Sequence, residues 1–344
     1  MIIVMKKDAD PDQIEAVAER VRSAGAEVRV SKGQVRTVLG AVGDLDTVRQ
    51  IPWEAFAGVA RTVTVTQPLR FVGRDLHEES TVIEIGGHRI GGGTLTIVAG
   101  PCAVESRDQL LRAGEAVKAA GAHILRGDAF KSRTSPYSFQ GLGEKGLELL
   151  AEARVILEMP FVAEVLDPRD VTMVSSYADI VRIGSRNMAN FPLLREVGRQ
   201  ARPVQLKRGF TATIEEWLDA AEYIYKEGNH QIILVERGIR TFQTVARNTL
   251  DITAVPVAQS LSHLPVFVDP SHASGKRSLV APLTRAAVAV GADGVMIDVH
   301  PDPETALVDG SQALLPAEFA ALMDDVRALA GVLGRSLEVG NTTG

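Results

Sequence analysis

The stretch LTIVAGPCAVESRDQLLRAGEAVKAAGAHILRG, residues 95–127, decides the fold. It opens on an apolar run, LTIVAG, crosses a helical pattern, SRDQLLRAGEAVKAAGA, and returns to a second apolar run, HILRG. Continuous apolar runs, as opposed to alternating ones, suit strands covered on both faces. The rhythm continues through FVAEV (161–165), DIVRIGS (179–185), PVQLK (203–207), QIILVE (231–236), PVFVD (265–269) and GVMIDV (294–299). Helical patterns separate the runs, among them GEKGLELLAEARVILE (143–158) and TIEEWLDAAEYIYKEG (213–228), and a last one, PAEFAALMDDVRALAGVL (316–333), follows. Eight buried strands alternating with helices predict an all-parallel sheet. Eight is also the number that closes into a (β/α)8 barrel.

Upstream, residues 1–67 read as a separate unit. MIIVMKK is a strand, and DPDQIEAVAERVRSAGA a helix with Asp10 or Asp12 near its start and Gly25 past its end. EVRVSKGQVRTVLGAVG reads as two paired strands about a Lys32-Gly33 turn, DLDTVRQIPWEAFAG as a second helix and VARTVTVTQP as a closing strand. This β-α-β-β-α-β order is ferredoxin-like, and by itself it says little about function. PLRFVGRDLHEES reads as a linker, residues 68–80. TVIEIGGHRI then gives a hairpin turning at Gly86-Gly87 and leading into a barrel over residues 81–338.

Composition narrows the function classes. Lys and Arg total 37 against 43 Asp and Glu, so no basic field exists to favour nucleic acid. No apolar run reaches the roughly 18 residues of a membrane span. The segment MIIVMKKDADPDQ lacks the order of a signal peptide. A single cysteine excludes an intrachain disulfide and suits a reducing compartment, so the expected location is the cytoplasm.

Polar groups gather where the apolar runs end: Cys102, Arg126, Glu164, Ser185 with Arg186, Lys207, Glu236 with Arg237, Asp269 with His272, and Asp298 with His300. A strand must end somewhere, and its first loop residue is commonly charged. Eight such endings, which a barrel would bring to one rim, ask for more. Cys102 alone could be a packing residue, His272 a hydrogen-bonded loop histidine and Asp309 a turn residue before Gly310. Together, the cysteine, the histidine and two carboxylates on successive rim positions make a candidate site for zinc, iron, manganese or cobalt. The loop LRGDAFKSRTSPYSFQGLG, residues 125–143, adds Arg126, Lys131 and Arg133 beside the hydroxyls of Thr134 and Ser135. Fixed cations and hydroxyls in one loop suit phosphate oxygens.

That loop, with AGPCAVES (99–106), IGSRNMANFPLL (183–194), LKRGF (206–210), ILVERGIRTF (233–242), VDPSHASGKR (268–277) and DVHPDPETALVDGSQAL (298–314), closely resembles the type I 3-deoxy-D-arabino-heptulosonate 7-phosphate (DAHP) synthases. The likeness spans residues 80–335, and the N-terminal unit resembles the ferredoxin-like regulatory domain that some of these enzymes carry. The resemblance implies a (β/α)8 barrel that condenses phosphoenolpyruvate with erythrose 4-phosphate at the head of the shikimate pathway. It also implies a divalent metal ion (manganese, iron, zinc, cobalt or cadmium), feedback inhibition by tyrosine or phenylalanine, and a homo-oligomer, expected as a tetramer. Carried over by motif, Cys102, His272, Asp298 and Asp309 would ligate the metal. Arg126, Lys131, Arg186, Lys207 and Arg237 would surround phosphoenolpyruvate, and Lys131, Arg133, Thr134 and Ser135 would meet the aldose phosphate. Glu164 and Ser185 would place water and substrate, which leaves Lys131, Cys102, His272 and Glu164 as the catalytic candidates.

Three positions depart from the family pattern. Asp298 stands where Glu is usual, Ser132 replaces a proline, and Asp128 fills a position usually small and neutral, where it either weakens phosphate binding or turns outward. Two alternatives accompany the main expectation. One is 3-deoxy-D-manno-octulosonate 8-phosphate synthase, whose loop carries an extra Asn that the Lys131-Ser132-Arg133 spacing lacks. The other is an impaired barrel that only binds an effector.

Overall fold

A computed structural model of the chain describes residues 1–32, 36–42, 45–63 and 70–337. The chain divides into two compact units, Met1–Leu69 and Arg70–Gly344.

The first unit runs β1 (Ile2–Met5), α1 (Pro11–Ser23), β2 (Glu27–Lys32), β3 (Thr37–Val42), α2 (Asp46–Arg49) and β4 (Val59–Val63). Its sheet is antiparallel in the order β2-β3-β1-β4, the ferredoxin-like arrangement. Helix α1 starts as the sequence suggests. The Asp10 carboxylate accepts from the Gln13 backbone N–H at 2.8 Å, and the Gln13 side chain returns the bond to the Asp10 N–H. The second helix is shorter than expected. A single α-turn ends at Arg49, and a 3-10 turn, Trp53–Ala55, replaces the rest. Pro52 explains the break, because it lacks an N–H and disfavours helical geometry at Ile51. Lys32 ends β2, whereas Gly33 of the expected Lys32-Gly33 turn and the end of the closing strand (64–68) lie outside the described residues.

The second unit opens with a hairpin of β5 (Ile83–Ile85) and β6 (His88–Ile90). Gly86 and Gly87 both take positive φ, 55° and 80°, as the tight two-residue turn demands. The eight apolar runs all form strands: β7 (Thr96–Gly100), β8 (Ile124–Arg126), β9 (Phe161–Val165), β10 (Ile180–Ile183), β11 (Val204–Lys207), β12 (Ile232–Glu236), β13 (Val266–Val268) and β14 (Gly294–Asp298). Each pairs in parallel with the next, and β14 pairs with β7, closing the barrel. Between and after them come α3 (Arg107–Ala119), α4 (Glu144–Leu157), α5 (Val171–Tyr177), α6 (Phe191–Gly198), α7 (Ile214–Lys226), α8 (Ala254–Leu261), α9 (Pro270–Ser274), α10 (Arg277–Ala289) and α11 (Pro316–Val332).

Strand alternation separates two apolar layers. Outward residues such as Leu125, Val181, Ile183, Leu206 and Leu234 join the helices in the main core. Inward residues, including Val98, Ile124, Val162, Ile233, Phe267 and Met296, fill the barrel, and Ile83 and Ile90 of the hairpin pack with them. The interior is thus packed, and the charged inward residues Arg126, Glu164, Arg182, Lys207 and Asp298 lie toward the strands' C-terminal ends. No helix among the described residues is long and apolar enough to cross a membrane.

Candidate active site

Three donor atoms from three parts of the chain meet at the C-terminal rim. Cys102 Sγ lies 3.6 Å from His272 Nε2 and 3.3 Å from Asp309 Oδ2, and those two are 3.7 Å apart. Metal–ligand bonds of about 2.0 to 2.3 Å in a tetrahedral site put donors roughly 3.3 to 3.8 Å from one another. The trio therefore fits a single divalent ion.

Cys102 follows β7, and His272 sits in α9 just past β13. Asp269 caps α9 by accepting from the His272 backbone N–H at 3.0 Å, and its other oxygen lies 2.9 Å from His272 Nδ1. Burial keeps the imidazole neutral, moving its pKa down to about 3 against the pull of Asp269. A neutral ring donating Nδ1–H to Asp269 leaves the Nε2 lone pair for a metal, the arrangement in which a carboxylate orients a histidine ligand. Burial pushes the Cys102 thiol up, opposed by Lys131 and Arg126.

Asp298, at the tip of β14, lies beside the trio, with the donor atoms of Cys102, His272 and Asp298 all within 4.8 Å of one another. Both of its oxygens are engaged. Oδ1 accepts from Arg126 Nη1, and Oδ2 accepts from Gln312 Nε2 at 2.6 Å. Asp298 approaches the imidazole from the Nδ1 side, at 3.7 Å, while Asp309 meets Nε2.

Next to the trio is a cavity of about 360 Å³. Lys131, Arg133, Thr134, Ser135, Glu164, Ser185, Arg186, Lys207, Arg237, His272 and Asp309 all line it. Arg126 does not. It is fully buried below the cavity, bonded to Asp298, to the Cys102 carbonyl at 3.1 Å and to Asp128 at 3.1 Å. Lys131 Nζ contacts the Cys102 carbonyl and Sγ, both at 3.1 Å, and Asp128 at 2.9 Å. Burial works to lower the Lys131 pKa, but Asp128 and Cys102 outweigh it and hold the ammonium above its ordinary range. Lys207 donates to Asp269 at 2.6 Å, yet burial moves its pKa down to about 8. Buried nitrogens of Arg133 and Arg237 and the Ser185 hydroxyl have no hydrogen-bond partner among the described residues. Such groups suit an incoming anion.

Asp128 does not turn outward. It is buried at the cavity floor among three cations, Arg126, Lys131 and Arg182. Two of the strand-end residues find their partners away from the cavity. Glu236 points into the helix layer, where it accepts from Arg208 at 2.9 Å, and His300 faces Glu105 at 3.6 Å.

Sequence reading missed Arg182, the lone charge within an apolar strand, although that interruption was visible in DIVRIGS. It also missed Phe210, whose ring lies 4.6 Å from the Arg237 guanidinium and 5.4 Å from that of Arg186. Arg247, 3.1 Å from Asp309 Oδ1, sits in an unremarked loop and gave no signal.

Gly184 has an ordinary φ of −71°, so its role is space. A Cβ there would lie 2.1 Å from Glu164 Oε1. Gly184→Ala is expected to displace the Glu164 carboxylate and lower kcat/KM by ~10- to 100-fold, since small misplacements in a site of this kind are costly. Steady-state kinetics on the folded variant checks this, and unchanged kinetics would remove Glu164 from the site.

Comparison with known proteins adds an independent line. The model of the DAHP synthetase I family matches residues 76–330, and that of the DAHP synthase ferredoxin-like domain matches residues 1–67. The phospho-2-dehydro-3-deoxyheptonate aldolase of Thermotoga maritima is 49% identical over 334 residues, which cover 97% of this chain and 99% of that protein. A solved structure of the DAHP synthase of Thermotoga maritima superposes with a TM-score of 0.78 at 48% identity, covering 97% of this chain and 98% of that one. A truncated form of the Thermotoga synthase gives a TM-score of 0.73 at 50% identity over 77% of this chain and 97% of that one. The 2-dehydro-3-deoxyphosphooctonate aldolase of Geobacter sulfurreducens is 30% identical over 73% of this chain and 98% of its own length.

Proposed function

The chain belongs to the DAHP synthetase I family, and from that premise we propose that it joins phosphoenolpyruvate to erythrose 4-phosphate, giving DAHP and inorganic phosphate for the shikimate pathway. The observation that carries the reading is the meeting of Cys102 Sγ, His272 Nε2 and Asp309 Oδ2, 3.3 to 3.7 Å apart, beside a cavity walled by cations. Those three residues would hold the divalent ion. When bound, it would supply Lewis-acid polarisation of the aldehyde oxygen.

The remaining roles fall to the chain's own side chains. Arg186, Arg237 and Lys207 seat phosphoenolpyruvate, whose phosphate and carboxylate need several cations. Arg133, Thr134 and Ser135 seat the aldose phosphate. C3 of phosphoenolpyruvate then attacks the aldehyde carbon, water adds at C2, and the resulting phosphohemiketal loses phosphate by C–O cleavage. Lys131 Nζ stabilises charge on the new oxygen or protonates it, and Glu164 places the water. Asp298, paired with Arg126, lies beside the residues that would hold the ion. In this scheme Arg126 acts through its hold on the Cys102 carbonyl.

The seven-carbon product is favoured over the eight-carbon one by the loop spacing from Lys131 to Arg133 and by the higher identity to the heptonate enzyme. Phosphate release should require phosphoenolpyruvate and erythrose 4-phosphate together and stop on chelation. Turnover with arabinose 5-phosphate alone would overturn the choice of aldose, and no turnover with either would leave the effector-binding alternative. The ferredoxin-like unit is assigned feedback inhibition by tyrosine or phenylalanine, supported by its family match. Inhibition persisting in a truncation that starts at Thr81 would refute that assignment.

A pH dependence follows from Lys207. With its pKa at about 8, the free enzyme holds the ammonium below that pH and loses it above. kcat/KM for phosphoenolpyruvate is therefore expected to fall as pH rises through about 8, by up to ~10-fold per unit. In Lys207→Met this limb should disappear along with most of the activity. A wild-type profile flat from pH 7 to pH 9.5 would contradict the role.

A further inference from the structure

Arg182 is fully buried inside the barrel, on β10, paired in register with Glu164 of β9 and Gln205 of β11. Its Nη1 lies 3.5 Å from Met296 Sδ. A guanidinium in such a place is costly unless matched by a carboxylate. The match is Asp128, whose Oδ1 accepts from Arg182 Nη2, with Glu164 Oε2 at 3.7 Å as the next carboxylate oxygen.

Asp128 is equally buried, and its second oxygen takes Lys131 Nζ at 2.9 Å and Arg126 Nη2 at 3.1 Å. Both of those cations also bond the Cys102 carbonyl, each at 3.1 Å. One carboxylate therefore ties together three cations, two of which touch the backbone of the residue that offers the thiol. Asp128 alone would take one unit of positive charge away from a cavity meant for anions. Arg182, placed on the opposite side of Asp128, supplies one unit back.

We propose that Asp128 and Arg182 are a matched pair of positioning residues. Asp128 clamps Lys131 and Arg126 against Cys102, and Arg182 neutralises Asp128 so that the cavity keeps its attraction for a phosphorylated, carboxylate-bearing substrate. The kinetic part of this inference rests on the function proposed above. The structural pairing does not.

The test is a cycle of Asp128→Asn, Arg182→Gln and the double variant, with kcat and KM measured per mole of folded protein. Arg182→Gln leaves Asp128 drawing on Lys131 and Arg126 alone, so KM for phosphoenolpyruvate should rise ~10- to 100-fold, more than kcat falls. Asp128→Asn frees Lys131 and strands Arg182, so kcat should fall ~10-fold or more. The double variant, neutral at both positions, should bring KM for phosphoenolpyruvate back toward wild type, while kcat stays low because the carboxylate that clamps Lys131 and Arg126 is gone. Lower melting temperatures with unchanged kinetic constants would make the pair merely structural and overturn the proposal. A double variant whose KM stays as high as that of Arg182→Gln would overturn it too.

A second readout needs no substrate. Cys102 is the chain's only cysteine, and Lys131 lies 3.1 Å from its sulfur. In chelator-treated full-length protein at fixed pH, iodoacetamide should modify Asp128→Asn faster than wild type, because a buried negative charge near the sulfur is removed. Arg182→Gln should react more slowly, and the double variant should lie between the two. If wild type releases no phosphate but these rates follow that order, the function assigned above fails and the pairing stands. If wild type turns over and the rates do not differ, the pairing fails.

Discussion

His272→Ala is expected to lower kcat by ~10³-fold or more, equivalent to roughly 4 kcal/mol of transition-state stabilisation. The imidazole is one of three donors in mutual contact, and its removal leaves Cys102 and Asp309 as a two-residue remnant with Asp298 still engaged by Arg126 and Gln312. Asp269 would lose the ring it orients and would keep only Lys207 and the helix N-terminus. Metal content after dialysis and phosphate release with added manganese are the two measurements. Both should collapse together. Retained metal with lost activity would assign His272 a role apart from metal binding, and retained activity would refute the site.

Lys131→Met is expected to lower kcat by ~10²- to 10⁴-fold, the range for losing a positioned acid or fixed charge, while metal content stays near wild type. Methionine keeps much of the aliphatic stem, so packing changes little while the ammonium is lost. Lys131 stands between the donor trio and the cavity, touching Cys102 and Asp128, and it stays protonated throughout the working range. Raising the pH should therefore not mimic the variant. Lys131→Arg should rescue poorly, because a planar fork cannot replace a compact ammonium held on three sides. A variant with near-normal kcat and a raised KM alone would reduce Lys131 to a substrate anchor.

Much of the architecture was legible because each barrel strand is a largely apolar run bounded by helix signals. Counting such runs gave the barrel. The shortened second helix of the N-terminal unit was also readable in principle, since Pro52 lies inside its pattern. Strand parity would have excluded Glu236 from the cavity. Ile232 and Leu234 face the helix layer, so Glu236 must as well, while Ile233 and Val235 face the interior.

Which residues cluster at the rim was legible, but their pairing was not. Asp128 and Arg182 are 54 positions apart, and no local pattern says that one neutralises the other. Arg126 was expected to face substrate and instead lies beneath the cavity, because Asp298 and Asp128 both compete for it. Side-chain burial of this kind depends on what else fills the barrel interior, and a linear reading cannot supply that.

The most direct measurement is anomalous scattering from crystals of the full-length protein grown with manganese. A single peak within bonding distance of Cys102 Sγ, His272 Nε2 and Asp309 Oδ2, with Arg126 still on Asp298, is the predicted result. A peak elsewhere, or none while Cys102 and Asp309 point apart, would contradict it.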